Sequence, residues 1–414
     1  MSIIHGLPAI DNTTTILGLH RILPMAFEHQ DMTGLWEERL ERVTVNPRDA
    51  AALMDMSMIL QSLGQTHEAL ALLDQAVALQ KDFCVVHGDG SGMRLLALIT
   101  PGDFMANTPV DCLLNGSNAV LWLHYVDGQT TELESLPAHD VAMLAIGEAN
   151  THGPVLARLA ELLPHFDGPI MNNKPALIAG LTRDGVSAMF ADEPSILAPQ
   201  THRIDRATLV AVASCSARIA DIAPGFEFPV IVRPIGTHAG HGLARLQSVG
   251  DLIPYLQDQV GEAFYVAPFI DYRGADGFYN KQRVVLIDGR PFPSHMALSD
   301  HWIVHYMNAG MAECADKRAV EAHWMENFDH DFARRHADAF AALNRHVGLD
   351  YFGIDCAELP DGRLLVFELD VAMVVHDMDD EKVFPYKKIA MRKLFEAFVR
   401  SVGGMRGPAL ANAA

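Results

Sequence analysis

Three acids and three cations in the second half of the chain have the types and spacing to do chemistry. The stretch YFGIDCAELPDGRLLVFELD (351–370) sets two apolar runs on either side of Pro360-Asp361-Gly362, a strong hairpin signal. A loop of Asp361-Gly362, or of residues 360–363, places Asp355 directly opposite Glu368, and alternation along the strand puts Asp370 on the same face. A three-residue loop would shift the register by one and separate the acids. Like charges opposed on an apolar hairpin are destabilising, and desolvation makes them worse, so a cation is expected there. Oxygen-only ligands suit a hard ion, and Mg²⁺ typically takes one or two carboxylates plus phosphate oxygens of a substrate. The competing reading is a solvent-facing edge on which acids are merely tolerated; Val366-Phe367-Glu368-Leu369 reads as buried and speaks against it.

The cations lie upstream. NKQRVVLIDGRPFP (280–293) is a second hairpin signal, with Asp288-Gly289 at its turn, and Lys281 and Arg283 are two apart and share a face. Arg233 ends the apolar strand in FPVIVRPIGTHAGHG (228–242), and the loop behind it carries Gly236, Gly240 and Gly242. Glycines let a backbone approach a phosphate and point N–H groups at it, although the spacing is not the GxxxxGK[ST] P-loop. Each cation alone reads as an ordinary surface ion pair. Beside the glycine loop and the acid hairpin, the three read as a site for metal-bridged phosphates. His238 and His241 are loop residues. Zinc held by them with His295, His301, His305 or His376 finds no support, because no HExxH spacing occurs.

The elements that must position these groups form an α/β and α+β chain. Residues 46–83 have helical apolar spacing broken at Leu63-Gly64-Gln65, a helical hairpin resembling one tetratricopeptide unit or simply capping the next domain. From Met93, short apolar runs at 93–100, 119–126 and 140–150 alternate with helical segments such as 151–166, implying a parallel sheet of Rossmann-like type. No GxGxxG follows its first strand, so a dinucleotide site is not supported. A helix over 176–190 leads to a region of hairpins. The expected segments are an arm and helical region (1–89), a Rossmann-like domain (90–200), a two-lobed domain (201–404) and a disordered tail (405–414).

Half of the 414 residues are apolar, no run is long enough to span a membrane, and the N-terminus lacks the basic start and apolar core of a signal peptide. Five scattered cysteines without CxxC suit a reducing, cytoplasmic setting. A formal charge of −21 argues against general nucleic-acid binding.

The order of these pieces resembles the ATP-grasp superfamily over about residues 90–400. FPVIVRP with its glycine loop looks like the phosphate-binding strand–loop–strand unit, FYVAPFID (264–271) like the adenine-receiving strand, and GIDCAEL…GRLLVFELD like the metal-binding strands. The resemblance implies a nucleotide cleft between two lobes, with a Rossmann-like domain in front. By matching positions, Arg233 replaces the phosphate-binding lysine, Arg183 matches the other phosphate-binding cation, and Arg283, with Lys281 beside it, faces phosphate or acyl-phosphate oxygens. Asp355, Glu368 and Asp370 take the metal-ligand positions, Asp370 where asparagine is usual. Pro268 stands where a glutamate often contacts adenine, leaving backbone groups near Phe269, and Asp271 is a ribose contact. The implied cofactors are ATP and Mg²⁺. The implied activity joins a small-molecule carboxylate to an amine or other nucleophile through an acyl phosphate. The segment 293–311 is expected to be a substrate-side loop, with Ser299, His301 and His305, and His238 from the glycine loop, as contacts. The rival readings are a ligase acting on a peptide held by the helical front end, and a degenerate nucleotide-binding scaffold. A homodimer is left open.

Overall fold

The computed structural model describes residues 13–223, 225–237 and 240–405, so the expected tail from 406 onward lies outside it, as does His238. Helices α1 (Leu19–Phe27), α2 (Thr33–Val45), α3 (Ala50–Ser62) and α4 (Thr66–Leu79) come first. The expected hairpin is α3–α4. Gly64 takes the left-handed backbone (φ 76°) that ends α3 and reverses the chain. Helix α3 is buried almost all round, from Ala50 to Ile59, and its buried Asp55 is balanced by Arg39 of α2 at 2.8 Å.

A first sheet follows, of β1 (Asp82–Val86), β2 (Arg94–Ile99), β3 (Val120–Tyr125), β4 (Val141–Leu144) and β5 (Ile170–Met171), in the order β1-β3-β2-β4-β5. All neighbours are parallel except β1, which runs antiparallel to β3. Strands β2 and β4 are covered on both faces, which is why they read as unbroken apolar runs. The sheet begins eleven residues before the expected start at Met93. The run DFCVV closes the helical pattern of α4, and only its pairing with β3 marks it as a strand.

Nine further strands follow among the described residues: β6 (Ile196–Leu197), β7 (His202–Asp205), β8 (Val230–Pro234), β9 (Ala244–Leu246), β10 (Ala263–Pro268), β11 (Tyr279–Ile287), β12 (Arg290–Ser299), β13 (Tyr351–Glu358) and β14 (Leu364–Asp370). They make two lobes. One is an antiparallel sheet in the order β7-β10-β8-β9 with its own small core around Leu209, Val232 and Phe264. The other has the order β12-β11-β13-β14-β6, antiparallel except for the β14–β6 pair. This is the expected fold class, a helical front end, a Rossmann-like unit and two lobes. The packing does not stop at residues 89 or 200: one core runs from Ile22, Met54 and Leu73 through Leu95 and Met143 to Tyr351, Phe395 and Phe398. The helix expected over 176–190 is two helices, Pro175–Ala179 and Arg183–Met189. The Thr182 side chain accepts the Gly185 N–H at 3.1 Å and starts the second one, which makes Arg183 its first residue. Among the described residues no helix is long and apolar enough to cross a membrane.

Candidate active site

Two hairpins side by side fix the charged groups. The β11–β12 turn is Asp288-Gly289, both with positive φ (49° and 75°), as a two-residue hairpin of the primed type requires. The β13–β14 turn corrects the expectation. Glu358 pairs with Leu364, leaving a five-residue loop instead of two or four. An odd loop would bring Asp355 opposite Phe367. A bulge that skips Phe367 restores the Asp355–Glu368 pairing. A second bulge, in β12, skips Ser294, so that His295 faces Arg283. The result is a row across four strands: His295, Arg283, Asp355, Glu368. Bulges of this kind re-aim side chains next to functional sites.

Asp355 is fully committed. Its two oxygens accept from Arg283 Nε at 2.7 Å and Nη2 at 3.1 Å, and Lys281 Nζ lies 2.7 Å from Oδ2. Burial alone would raise its carboxyl; Arg283 and Lys281 hold it well below the usual carboxylate range. Glu368 is half-buried and pairs with Arg183 Nη2 at 2.9 Å. Burial pushes its pKa up, but Arg183, then Arg233 and Lys281, leave it lowered. Asp370 differs. Burial, with Glu368 and Glu148 beside it, raises its carboxyl to about 7, although the backbone N–H groups of Ala372 and Glu148 donate to it. Glu148, just past the end of β4, is itself raised, first by burial.

Arg233 is 7% exposed and donates to the carbonyl and hydroxyl oxygens of Thr237 in the glycine loop. Burial, then the neighbouring Arg183, lowers its pKa to about 10. A small cleft collects Glu148 and Asp370 around the Glu368–Arg183 pair, with the loop residues Gly236 and Thr237, and so holds more acid than cation. A cavity of ≈ 570 Å³ adjoins it, lined among others by Arg233, Gly240, Phe269, Lys281, Arg283, Asp355 and His305. That size suits a small-molecule site. Gly240 and Gly236 both have left-handed φ (77° and 80°), and Gly242 (φ 64°) packs so closely on Pro234 that a Cβ would meet it at 2.6 Å.

Oxygen donors only, with burial-raised acids at Glu148 and Asp370, fit a hard divalent ion. Among the described residues, however, Asp355, Glu368 and Asp370 do not all bring an oxygen within 4.8 Å of one another. They form a row and not a cage, because Asp355 is turned to its two cations.

Other expected residues stand apart from the cavity. Asp271 is exposed and pairs with Arg273 at 2.6 Å. Ser299 accepts the His301 N–H at 3.1 Å, and His301 is exposed beside Asp300. His241 is exposed. Phe269 does line the cavity, but its N–H already donates to the Pro229 carbonyl at 3.1 Å, so it is not a free donor for a base.

The cavity wall includes residues that sequence reasoning missed: His295, Tyr306, Lys387, and Leu19, Leu23 and Phe27 of α1. Lys387 is buried, 3.0 Å from Asp379 and 3.5 Å from the fully buried Glu321. Glu148 was detectable, since an acid in the loop after an apolar parallel strand sits at the end where α/β sheets bind ligands.

No protein-family model and no curated protein matches this sequence. Solved structures are similar to this chain over about three quarters of its length. D-alanine–D-alanine ligase from Bacillus anthracis, complexed with ATP, is 13% identical, covers 76% of this chain and 98% of its own, and has a TM-score of 0.45. VanG D-Ala:D-Ser ligase from Enterococcus faecalis is 11% identical over 77% of this chain and 100% of its own, TM-score 0.46. A RimK domain protein ATP-grasp from Sphaerobacter thermophilus is 14% identical over 75% and 100%, TM-score 0.41.

Proposed function

We propose that the chain is an ATP-dependent ligase of the ATP-grasp type that activates a carboxylate through an acyl phosphate and transfers it to an amine or other nucleophile. The observation that carries this reading is a cleft with more acid than cation: among the described residues Glu148 and Asp370 have no side-chain ion pair and flank the Glu368–Arg183 pair, and the adjoining cavity holds Arg233, buried without an anion, behind the glycine loop. A metal–nucleotide complex supplies both missing charges at once. Glu368 and Asp370 would hold Mg²⁺, which when bound neutralises phosphate charge. Arg183 and Arg233 would hold phosphate oxygens from one side, and the glycine backbone from the other.

Lys281 and Arg283 together carry one more charge than Asp355 cancels, so the pair presents net positive charge to the cavity. They orient the substrate carboxylate and stabilise the oxygens that gain charge as phosphate is transferred. His295 and His305 stay neutral there, because burial and then these same cations lower their pKa, and they can donate or accept without adding charge. No protein nucleophile is needed. The test is ADP release with Mg²⁺ and ATP against pooled carboxylic acids and amines. Turnover that requires one acid and one amine is expected; folded protein that hydrolyses nothing and binds no ATP overturns the reading.

A further inference from the structure

Helix α1 has more apolar surface than its packing explains. Ile22 faces the core and is fully buried. Leu19, Leu23 and Phe27, spaced four apart, lie on another stripe of the helix and line the large cavity. The same cavity is also lined by Phe104, Met105 and Met378. Phe27 and Met105, large apolar side chains of this lining, remain 38% and 37% exposed.

This apolar end is tied to the charged one. Arg283 Nη1 donates to the Val374 carbonyl at 2.9 Å, and two residues on, the His376 ring sits 6.3 Å from the Phe27 ring. The helix is also built in. Asp111 accepts the His20 backbone N–H and lies against His20 Nδ1, both at 2.9 Å, with His87 Nε2 at the same distance from Oδ1. The chain enters α1 through Gly18 in the left-handed region (φ 85°), where a Cβ would meet Asp111 and Val85 at 2.7 Å. A wall anchored this way belongs to the site.

We infer that the carboxylate substrate carries an apolar body, aliphatic or aromatic, with its carboxylate at Lys281 and Arg283 and its body along Leu19, Leu23 and Phe27. This rests on the ligase reading above. The cation pair takes one negative charge, and the α1 stripe offers no polar side chain to a substrate tail.

Calorimetry with butanoate, octanoate, dodecanoate and 3-phenylpropanoate tests it, with and without Mg²⁺ and the non-hydrolysable analogue adenylyl imidodiphosphate. Affinity should rise by up to about fourfold per methylene until the cavity is filled. The aromatic acid shows whether the body is flat or extended. Leu23→Trp should cost the longer acids at least about tenfold relative to butanoate, and Phe27→Ala should move the preferred length upward. Equal affinity along the series, or variants that weaken every acid by the same factor, overturns the inference. Nucleotide binding with a flat acid series sinks this inference alone. A graded series without nucleotide binding keeps the apolar site and removes the ligase.

Discussion

Asp355 and Asp370 stand on one hairpin and one face, yet their surroundings differ. Asp355, in the middle of the sheet, has two cations within 3.1 Å and is held ionised. Asp370, at the strand end beside Glu148 and Glu368, has only backbone donors and is raised to about 7. A buried acid whose charge is answered by side chains is part of the scaffold. A buried acid whose charge is not answered marks where something positive belongs. The hairpin thus divides into a structural half that aims Lys281 and Arg283 and an open half that faces the glycine loop.

The contrast can be broken from either side. The largest effect is expected from Asp355→Ala, which leaves the half-buried Lys281 and Arg283 without a counter-charge and should cost about 3–5 kcal/mol in denaturant unfolding. Glu368→Gln, which loses only the half-buried pair with Arg183, should destabilise far less than Asp355→Ala but lower kcat/KM by roughly 100-fold, the scale of removing one electrostatic group from a transition state. Equal destabilisation by both variants would erase the distinction. Arg233→Met should weaken Mg-ATP binding by about tenfold or more, as for a lost charge-assisted hydrogen bond.

A separate effect is in pH. The folded-state pKa of Asp370 lies above its ordinary value, so its contribution to stability is complete below the usual carboxylate pKa and is lost as pH rises through about 7. Metal-free protein should lose thermal stability over that window, Asp370→Asn should flatten the loss, and Mg²⁺ at pH 8 should offset it. A wild-type slope unchanged in the variant would contradict this assignment.

Much of the site could be read from residue order, since alternation and turn signals place Lys281 with Arg283 and Glu368 with Asp370. The Asp355–Glu368 pairing was also legible, but through a loop the molecule does not use. Five loop residues and the bulge at Phe367 reach the register expected from an even loop. Bulges have no sequence signal as plain as Asp-Gly, and only the neighbouring strands reveal them. What could not be read were groups brought in by distant segments: Glu148 from the first sheet, Lys387 from the last helix, and α1. Pairing within a hairpin is local, whereas these contacts depend on how the front unit docks on the lobes.

The central claim is that the open half of the hairpin completes itself with a metal and phosphates. Titration calorimetry of ATP into the folded protein tests it most directly, with and without Mg²⁺ and again in Glu368→Gln. Binding that depends on Mg²⁺ and loses that dependence in the variant is the result expected. No heat of binding under either condition, or binding indifferent to both metal and variant, would contradict it.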